Sequence, residues 1–210
     1  MDMIINEKLK VRIIIQGRVD SADYELYRKL RKAGVFLIAF GIESANQDVL
    51  DFYNKRTNPE VIRTAVSLAN KVGILTFGWL MIGAPMETRE YFERDLKFVN
   101  DIKLDLTYVC TLKYVKGTSL WDDARKKGLI KDDKPDFDNK ELSPVTRKEL
   151  RVIREGLVKS FYKNPKRIAR IFLKFIRLGL FSLAVNSLKM NQSEGFWTFL
   201  YGDVYNKSRG

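Results

Sequence analysis

The sequence predicts an α/β fold built on parallel strands. Four apolar, β-branched or aromatic runs alternate with segments of helical period: Val11–Gln16, Phe36–Phe40, Ile74–Ile82 and Leu106–Leu112. Each helical segment between runs ends at or near a glycine or a polar turn, as a helix returning the chain to the next strand requires. Four such units in about 120 residues imply right-handed crossovers between neighbouring parallel strands. Periodicity leaves two architectures open, a doubly wound sheet and part of a β/α barrel.

The elements run in order along the chain. Val11–Gln16 is rich in isoleucine and stops at Gly17. Asp23 to Ala33 carries Leu26, Leu30 and Ala33 at helical spacing, with Gly34 placed to close the helix. Phe36–Phe40 is a continuous apolar run, as expected of a strand covered on both faces. Gln47–Tyr53 predicts a short helix. Asn58 caps the next helix, with Pro59 at its first position and Gly73 at its end. Ile74–Ile82 is the third strand, and Thr88 is placed to cap a helix with apolar Phe92, Leu96 and Val99. After the fourth strand, Thr118 or Ser119 caps a helix that runs to Lys127 and ends at Gly128.

Composition narrows the chemistry. The 210 residues include 38 basic and 26 acidic side chains, a formal charge of +12, with no histidine and one cysteine, Cys110. Without histidine there is no imidazole base, triad or metal ligand. One cysteine excludes an internal disulfide, a Cys₄ zinc site and an iron–sulfur cluster held by this chain's thiolates alone. Inside its strand, Cys110 reads as a small buried hydrophobe. Cysteine poverty suits a reducing cytoplasm. The amino terminus has no apolar signal region, and the apolar run Leu178–Ser187 is too short to span a bilayer. Charge is uneven: residues 1–140 carry a net +3 and residues 141–210 a net +9. The polar segment 131–144, with two of the five prolines, reads as a linker between residues 1–130 and a basic helical extension, 145–210.

In parallel α/β folds, ligands lie beyond the carboxyl ends of the strands. Those ends here supply Arg18 and Asp20, Gly41, Glu43 and Ser44, Gly83 and Glu87, and Gly117 and Thr118. Such a set suits ribose hydroxyls, an amino-acid group or an adenine edge. It equally suits turns and helix caps.

Four motifs occur in register: Gly41-Ile42-Glu43-Ser44, Gln47 to Leu50, Ile82 through Thr88, and Gly117 to Trp121 followed by Ala124–Ile130. Together, over residues 10–130, they resemble the later strands of the radical S-adenosylmethionine (SAM) enzyme core. The similarity is to the branch with a cobalamin-binding domain, including the anaerobic Mg-protoporphyrin ester cyclase type. The segment Leu150–Ile171, with Phe161-Tyr162 and Asn164-Pro165, resembles the segment after the core in that branch. The resemblance implies a partial, TIM-like β/α barrel of parallel strands with a basic helical extension. It implies SAM and a [4Fe–4S] cluster as cofactors, with cobalamin as a further one. Carried onto this sequence, it marks Glu43, with Ser44 beside it, as a SAM contact. Gly83 and Glu87 keep the second half of an adenine-side motif from which Gly78 is offset by one residue. Arg18 is marked as a partner for the SAM carboxylate. Ser44-Ala45-Asn46 replaces the more usual Ser-Gly-Ser.

The family's CxxxCxxC cluster loop is absent from the sequence. Val11–Gln16 corresponds to the family's third strand, so the chain is expected to be the later part of a split or truncated enzyme. This leaves two readings. In one, the chain contributes SAM and substrate contacts and needs an N-terminal half in trans for SAM cleavage. In the other, it is a non-catalytic remnant that binds through its tail. An uncovered Val11–Gln16 edge favours a partner, either that half or a second copy. In the tail, Arg167, Arg170, Lys174 and Arg177 recur at spacings of 3, 4 and 3 among Ile168, Ile171, Phe172, Phe175, Ile176, Leu178, Phe181 and Leu183. This basic amphipathic pattern suits packing on the core, an anionic membrane surface or nucleic acid. The expected location is cytoplasmic, with peripheral membrane contact.

Overall fold

A computed structural model of the chain describes residues 1–130, the backbone of 136–138, and residues 144–180. Four parallel strands, β1 (Ile13–Gly17), β2 (Val35–Glu43), β3 (Leu75–Ile82) and β4 (Leu106–Thr111), form one sheet in the order β1-β2-β3-β4. Chain order and spatial order coincide. A doubly wound sheet reverses direction at a switch point, so this sequential order is that of a barrel segment.

The helices are α1 (Asp2–Asn6), α2 (Tyr24–Lys32), α3 (Gln47–Phe52), α4 (Pro59–Lys71) and α5 (Arg89–Asp101), then α6 (Ser119–Lys126), α7 (Arg147–Tyr162) and α8 (Pro165–Arg177). Their ends reflect local chemistry. The Asp23 carboxylate accepts from Leu26 N, Asn58 from Val61 N, and the Thr118 hydroxyl from Trp121 N. Thr146 and Glu149 form a reciprocal capping box at the start of α7. Thr88 precedes α5 but makes no side-chain cap bond. Gly34 closes α2 with φ 100°, a conformation that L side chains rarely adopt.

One face of the sheet is dry. Ile38, Phe40 and Ile42 of β2, Leu80 and Ile82 of β3, and Val109 of β4 pack with Tyr27, Leu30, Ile62, Ala65, Val66, Phe92 and Val99 from the helices. Burial of each large side chain contributes up to about 1.5–3 kcal/mol. Leu150, Leu157 and Phe161 of α7 join the same cluster. The Tyr162 hydroxyl then meets the outer edge of β4: it donates to Thr107 O at 3.0 Å and accepts from Thr107 N at 3.1 Å. Both backbone groups of that edge residue are thereby paired.

Three features differ from the sequence expectation. The short α1 precedes the first strand, and its Asp2 pairs with Lys29 of α2 at 2.7 Å. β2 does not end before the turn motif but carries it as far as Glu43. Lys113–Val115 (β5) pairs antiparallel with Asp136–Asp138 (β6), so part of the 131–144 segment is a strand. The rest of that segment up to Ser143 lies outside the described residues, as do Phe181, Leu183, Trp197, Phe199, Tyr201 and Tyr205, and most of Leu178–Ser187. The chain divides into compact units Met1–Arg167 and Ile168–Gly210. Charge composition changes near residue 141, whereas packing changes after Arg167, because α7 buries its apolar face in the first unit. Among the described residues, no helix is long and apolar enough to cross a membrane.

Gly78 tests how tightly this core is closed. A Cβ there would stand 2.5 Å from Ile42 Cδ1 and 2.6 Å from Leu104 Cδ2. Gly78→Ala is expected to destabilise the fold by about 1–3 kcal/mol, read as a lower midpoint in chemical denaturation with an unchanged slope. An unchanged midpoint would mean that the neighbours yield freely.

Candidate functional site

The sheet's other face carries the polar chemistry. Side chains alternate along a strand, so Ala39, Gly41 and Glu43 share the face opposite Phe40 and Ile42. Neighbouring strands bring Gln16, Trp79 and Cys110 to the same side. With Gly17 and Arg18 these residues line a cleft of about 490 Å³ at the carboxyl ends of the strands. Trp79 forms one wall, edge-on to Phe77 at 5.3 Å and to Tyr108 at 5.5 Å between centroids.

Glu43 is the last residue of β2 and has φ 61°. The β2–β3 register shifts between Gly41 and Glu43, so the strand irregularity falls where the carboxylate must turn into the cleft. Glu43 Oε1 lies 2.7 Å from Lys55 Nζ; the two side chains are 13% and 41% exposed. Arg18, 77% exposed at the cleft rim, pairs with Asp20 through Nε at 3.0 Å. That pairing holds the Asp20 carboxyl below its ordinary range. Cys110 Sγ donates to Leu80 O at 3.3 Å. Burial, with Glu43 nearby, pushes its thiol up to about 11, so it stays protonated near neutrality.

Other residues expected at the site serve the turns around it. Ser44 is fully buried; its hydroxyl donates to Asp95 Oδ1 at 2.9 Å and accepts from Asn46 N at 3.1 Å. The same Asp95 oxygen accepts from Ala45 N at 2.6 Å and Asn46 Nδ2 at 3.1 Å, so α5 clamps the turn after β2. Glu87 is also fully buried, and its Oε2 accepts from the backbone N–H groups of Gly83 and Ala84. Gly83 has φ 105° in that turn. Of the five residues marked by the resemblance, the cleft lining contains Arg18 and Glu43; it does not contain Ser44, Gly83 or Glu87. Burial raises both Glu87 and Asp95 to about 7, opposed in each case by backbone donors.

The expected cationic stripe in the tail is also rearranged. Arg167 is 1% exposed. Its guanidinium lies over the Phe161 ring and donates to Leu104 O at 3.0 Å, to Asn100 Oδ1 at 2.6 Å and to Phe161 O. It therefore satisfies a strand-approach carbonyl and a carbonyl in the last turn of α7 instead of facing solvent. Lys174 is buried and Arg170 half-buried; Arg177 is exposed. Ile168, Phe172, Leu173 and Ile176 of α8 are exposed.

Sequence reasoning passed over Lys55, Trp79, Gln16 and Asp95. Counting back in twos from Glu43 finds Gly41 and Ala39 on the cleft face, and the same counting applies to β3 and β4. Lys55 and Asp95 lie on other elements, and local spacing gives no signal for them.

Residues 1–99 match the family model described as the Radical SAM superfamily. An uncharacterized methyltransferase of Pyrococcus horikoshii is 31% identical over 127 residues, covering 60% of this chain and 28% of that protein. The anaerobic magnesium-protoporphyrin IX monomethyl ester cyclase of Cereibacter sphaeroides is 34% identical over 99 residues, covering 46% and 16% respectively. The solved structure of OxsB, a cobalamin-dependent S-adenosylmethionine radical enzyme, superposes with TM-score 0.60 at 15% identity, covering 97% of this chain and 39% of that one. That last likeness bears on the fold. The chain thus spans 28% or less of the lengths of these two curated relatives.

The two buried carboxyls give a pH signature. Each ionises at higher pH in the fold than in the unfolded chain, where it titrates near 4. The fold therefore holds protons that the unfolded chain has lost between about pH 4 and 7, and stability falls as pH rises through that window. Glu87→Gln keeps an acceptor for Gly83 and Ala84 but cannot ionise. It is expected to narrow the gap in melting temperature between pH 5 and pH 8 by roughly 2–4 °C. An unchanged gap would remove Glu87 as its source.

Proposed function

We propose that this chain, which carries a radical SAM segment over residues 1–99, supplies the SAM- and substrate-facing part of a radical SAM enzyme. The observation that carries the proposal is the placement of Glu43. It is a carboxylate held at the carboxyl end of a barrel strand, with left-handed backbone, in a cleft that also contains Arg18 and Trp79.

The residues present suit SAM. The Glu43 carboxylate accepts hydrogen bonds from ribose hydroxyls or an ammonium. Arg18 exchanges Asp20 for the carboxylate of the amino-acid group, a pairing its planar fork favours. Trp79 and Ala39 offer apolar wall to the adenine or to substrate. When bound, SAM supplies the group that is cleaved; these residues bind it, orient it and limit water around it.

The residues present do not suit a [4Fe–4S] cluster. The sequence holds one cysteine, its thiol is protonated and donated to Leu80 O, and the described residues contain no group of three or more possible metal ligands. No step is therefore assigned to a cluster on this chain. Its ligands are proposed to belong to a preceding half carrying CxxxCxxC. Cobalamin is proposed as a further cofactor of the complete enzyme, by likeness to the cobalamin-dependent OxsB.

The test is anaerobic reconstitution with iron and sulfide, followed by assay of bound iron and of 5′-deoxyadenosine. The chain alone is expected to bind SAM but to form neither a stoichiometric cluster nor 5′-deoxyadenosine. Adding a polypeptide with the CxxxCxxC loop is expected to restore both. A stoichiometric cluster and SAM cleavage by the chain alone would overturn the proposal.

A second reading concerns α8, whose Ile168, Phe172, Leu173 and Ile176 are exposed beside Arg177. This pattern suits the surface of an anionic bilayer. The chain is expected to co-sediment with phosphatidylserine vesicles and not with phosphatidylcholine vesicles, and Phe172→Glu is expected to reduce binding severalfold. Equal recovery with both lipids would dismiss this reading.

A further inference from the structure

At the end of β2 the Glu43 carboxylate lies between two neighbours, Lys55 and Gly41. Lys55 Nζ stands 2.7 Å from its Oε1 and reaches it from the segment after α3, twelve residues along the chain. Lys55 is itself fixed by backbone bonds on both sides: its N–H donates to Leu50 O at 2.9 Å, and its carbonyl accepts from Thr57 N at 2.8 Å. On the other side, Gly41 is empty where a side chain would intrude. A Cβ at residue 41 would lie 2.8 Å from Glu43 Oε1 and 3.5 Å from Lys55 Nζ. The carboxylate thus occupies the space that a side chain at position 41 would fill, with the ammonium beside it. Because Glu43 is mostly enclosed, water screens this pair less than it screens Arg18–Asp20 at the rim.

We infer that Lys55 and Gly41 are positioning residues for Glu43: Lys55 holds the carboxylate by charge, and Gly41 makes the room in which it is held. This inference rests on the reading of the cleft as a SAM site. Neither residue need touch the ligand. The atoms facing a Cβ at position 41 are the ends of flexible side chains, so Gly41→Ala displaces the carboxylate without breaking the strand.

The purified full chain is titrated with SAM by calorimetry, and each variant is checked by thermal melting for an intact fold. Glu43→Gln and Lys55→Met are expected to weaken binding by a similar factor, about five- to tenfold. Lys55→Arg, which keeps the charge, is expected to stay within about twofold of wild type. Gly41→Ala is expected to resemble Lys55→Met. The double variant Lys55→Met with Glu43→Gln is expected to bind no worse than Glu43→Gln alone, because Lys55 acts through Glu43. A crystal structure of Lys55→Met is expected to show the Glu43 carboxylate moved from its place beside residue 41. Weakening by Glu43→Gln but not by Lys55→Met would overturn the inference and leave the SAM reading standing. Additive losses in the double variant would also overturn it, since Lys55 would then contact the ligand directly. No binding by wild type, or binding indifferent to Glu43→Gln, would overturn the SAM reading and the inference with it.

Discussion

Every strand of a β-sheet sends successive side chains to opposite faces, and among the described residues the helices α2, α4, α5 and α7 pack on one of them. Phe40 and Ile42 must go to the helices, so Ala39, Gly41 and Glu43 have only the other side to face. The same division sends Leu80 and Ile82 inward and Trp79 to the cleft, and separates Val109 from Cys110. The site is therefore what remains after the core has been formed. Parallel pairing then aligns the carboxyl ends of the strands, which gathers residues from four separate stretches of sequence at one end of the sheet.

The turns at that end are held by buried carboxyls. Asp95 gathers Ser44, Ala45 and Asn46, while Glu87 gathers Gly83 and Ala84. Each uses one oxygen: that of Glu87 accepts from two backbone N–H groups, and that of Asp95 from Ala45 N together with the Ser44 hydroxyl and the Asn46 side-chain amide. Both are placed by α5 and its approach, so a single helix fixes the ends of β2 and β3. The turns are thus held by residues outside the cleft, whose lining includes Glu43 and Arg18.

Much of the fold was legible in the sequence because its signals are local. Asp23 and Gly34 bound α2, Asn58-Pro59 begins α4, and isoleucine-rich or aromatic runs mark the strands. The site was less legible. A polar residue after a strand can face the ligand or its own turn, and residue type does not separate the two. Glu43 and Glu87 illustrate this: one lies in the cleft lining at an irregularity of β2, and nearby N–H groups hold the other. Arg167 shows a different limit. Helical spacing placed it in a cationic stripe, but spacing gives angles around an axis without saying which angle faces inward. Its guanidinium matches carbonyls contributed by Phe161 and by Leu104, sixty-three residues earlier.

The two edges of the sheet are not equivalent. Tyr162 fills the hydrogen-bonding positions of Thr107 on β4, whereas β1 pairs only with β2 among the described residues. Among the described residues, a side chain meets one edge at Thr107, and the other edge, β1, has no second strand beside it. The hydroxyl of one tyrosine thus does at Thr107 what a further strand would do, accepting from its N–H and donating to its carbonyl.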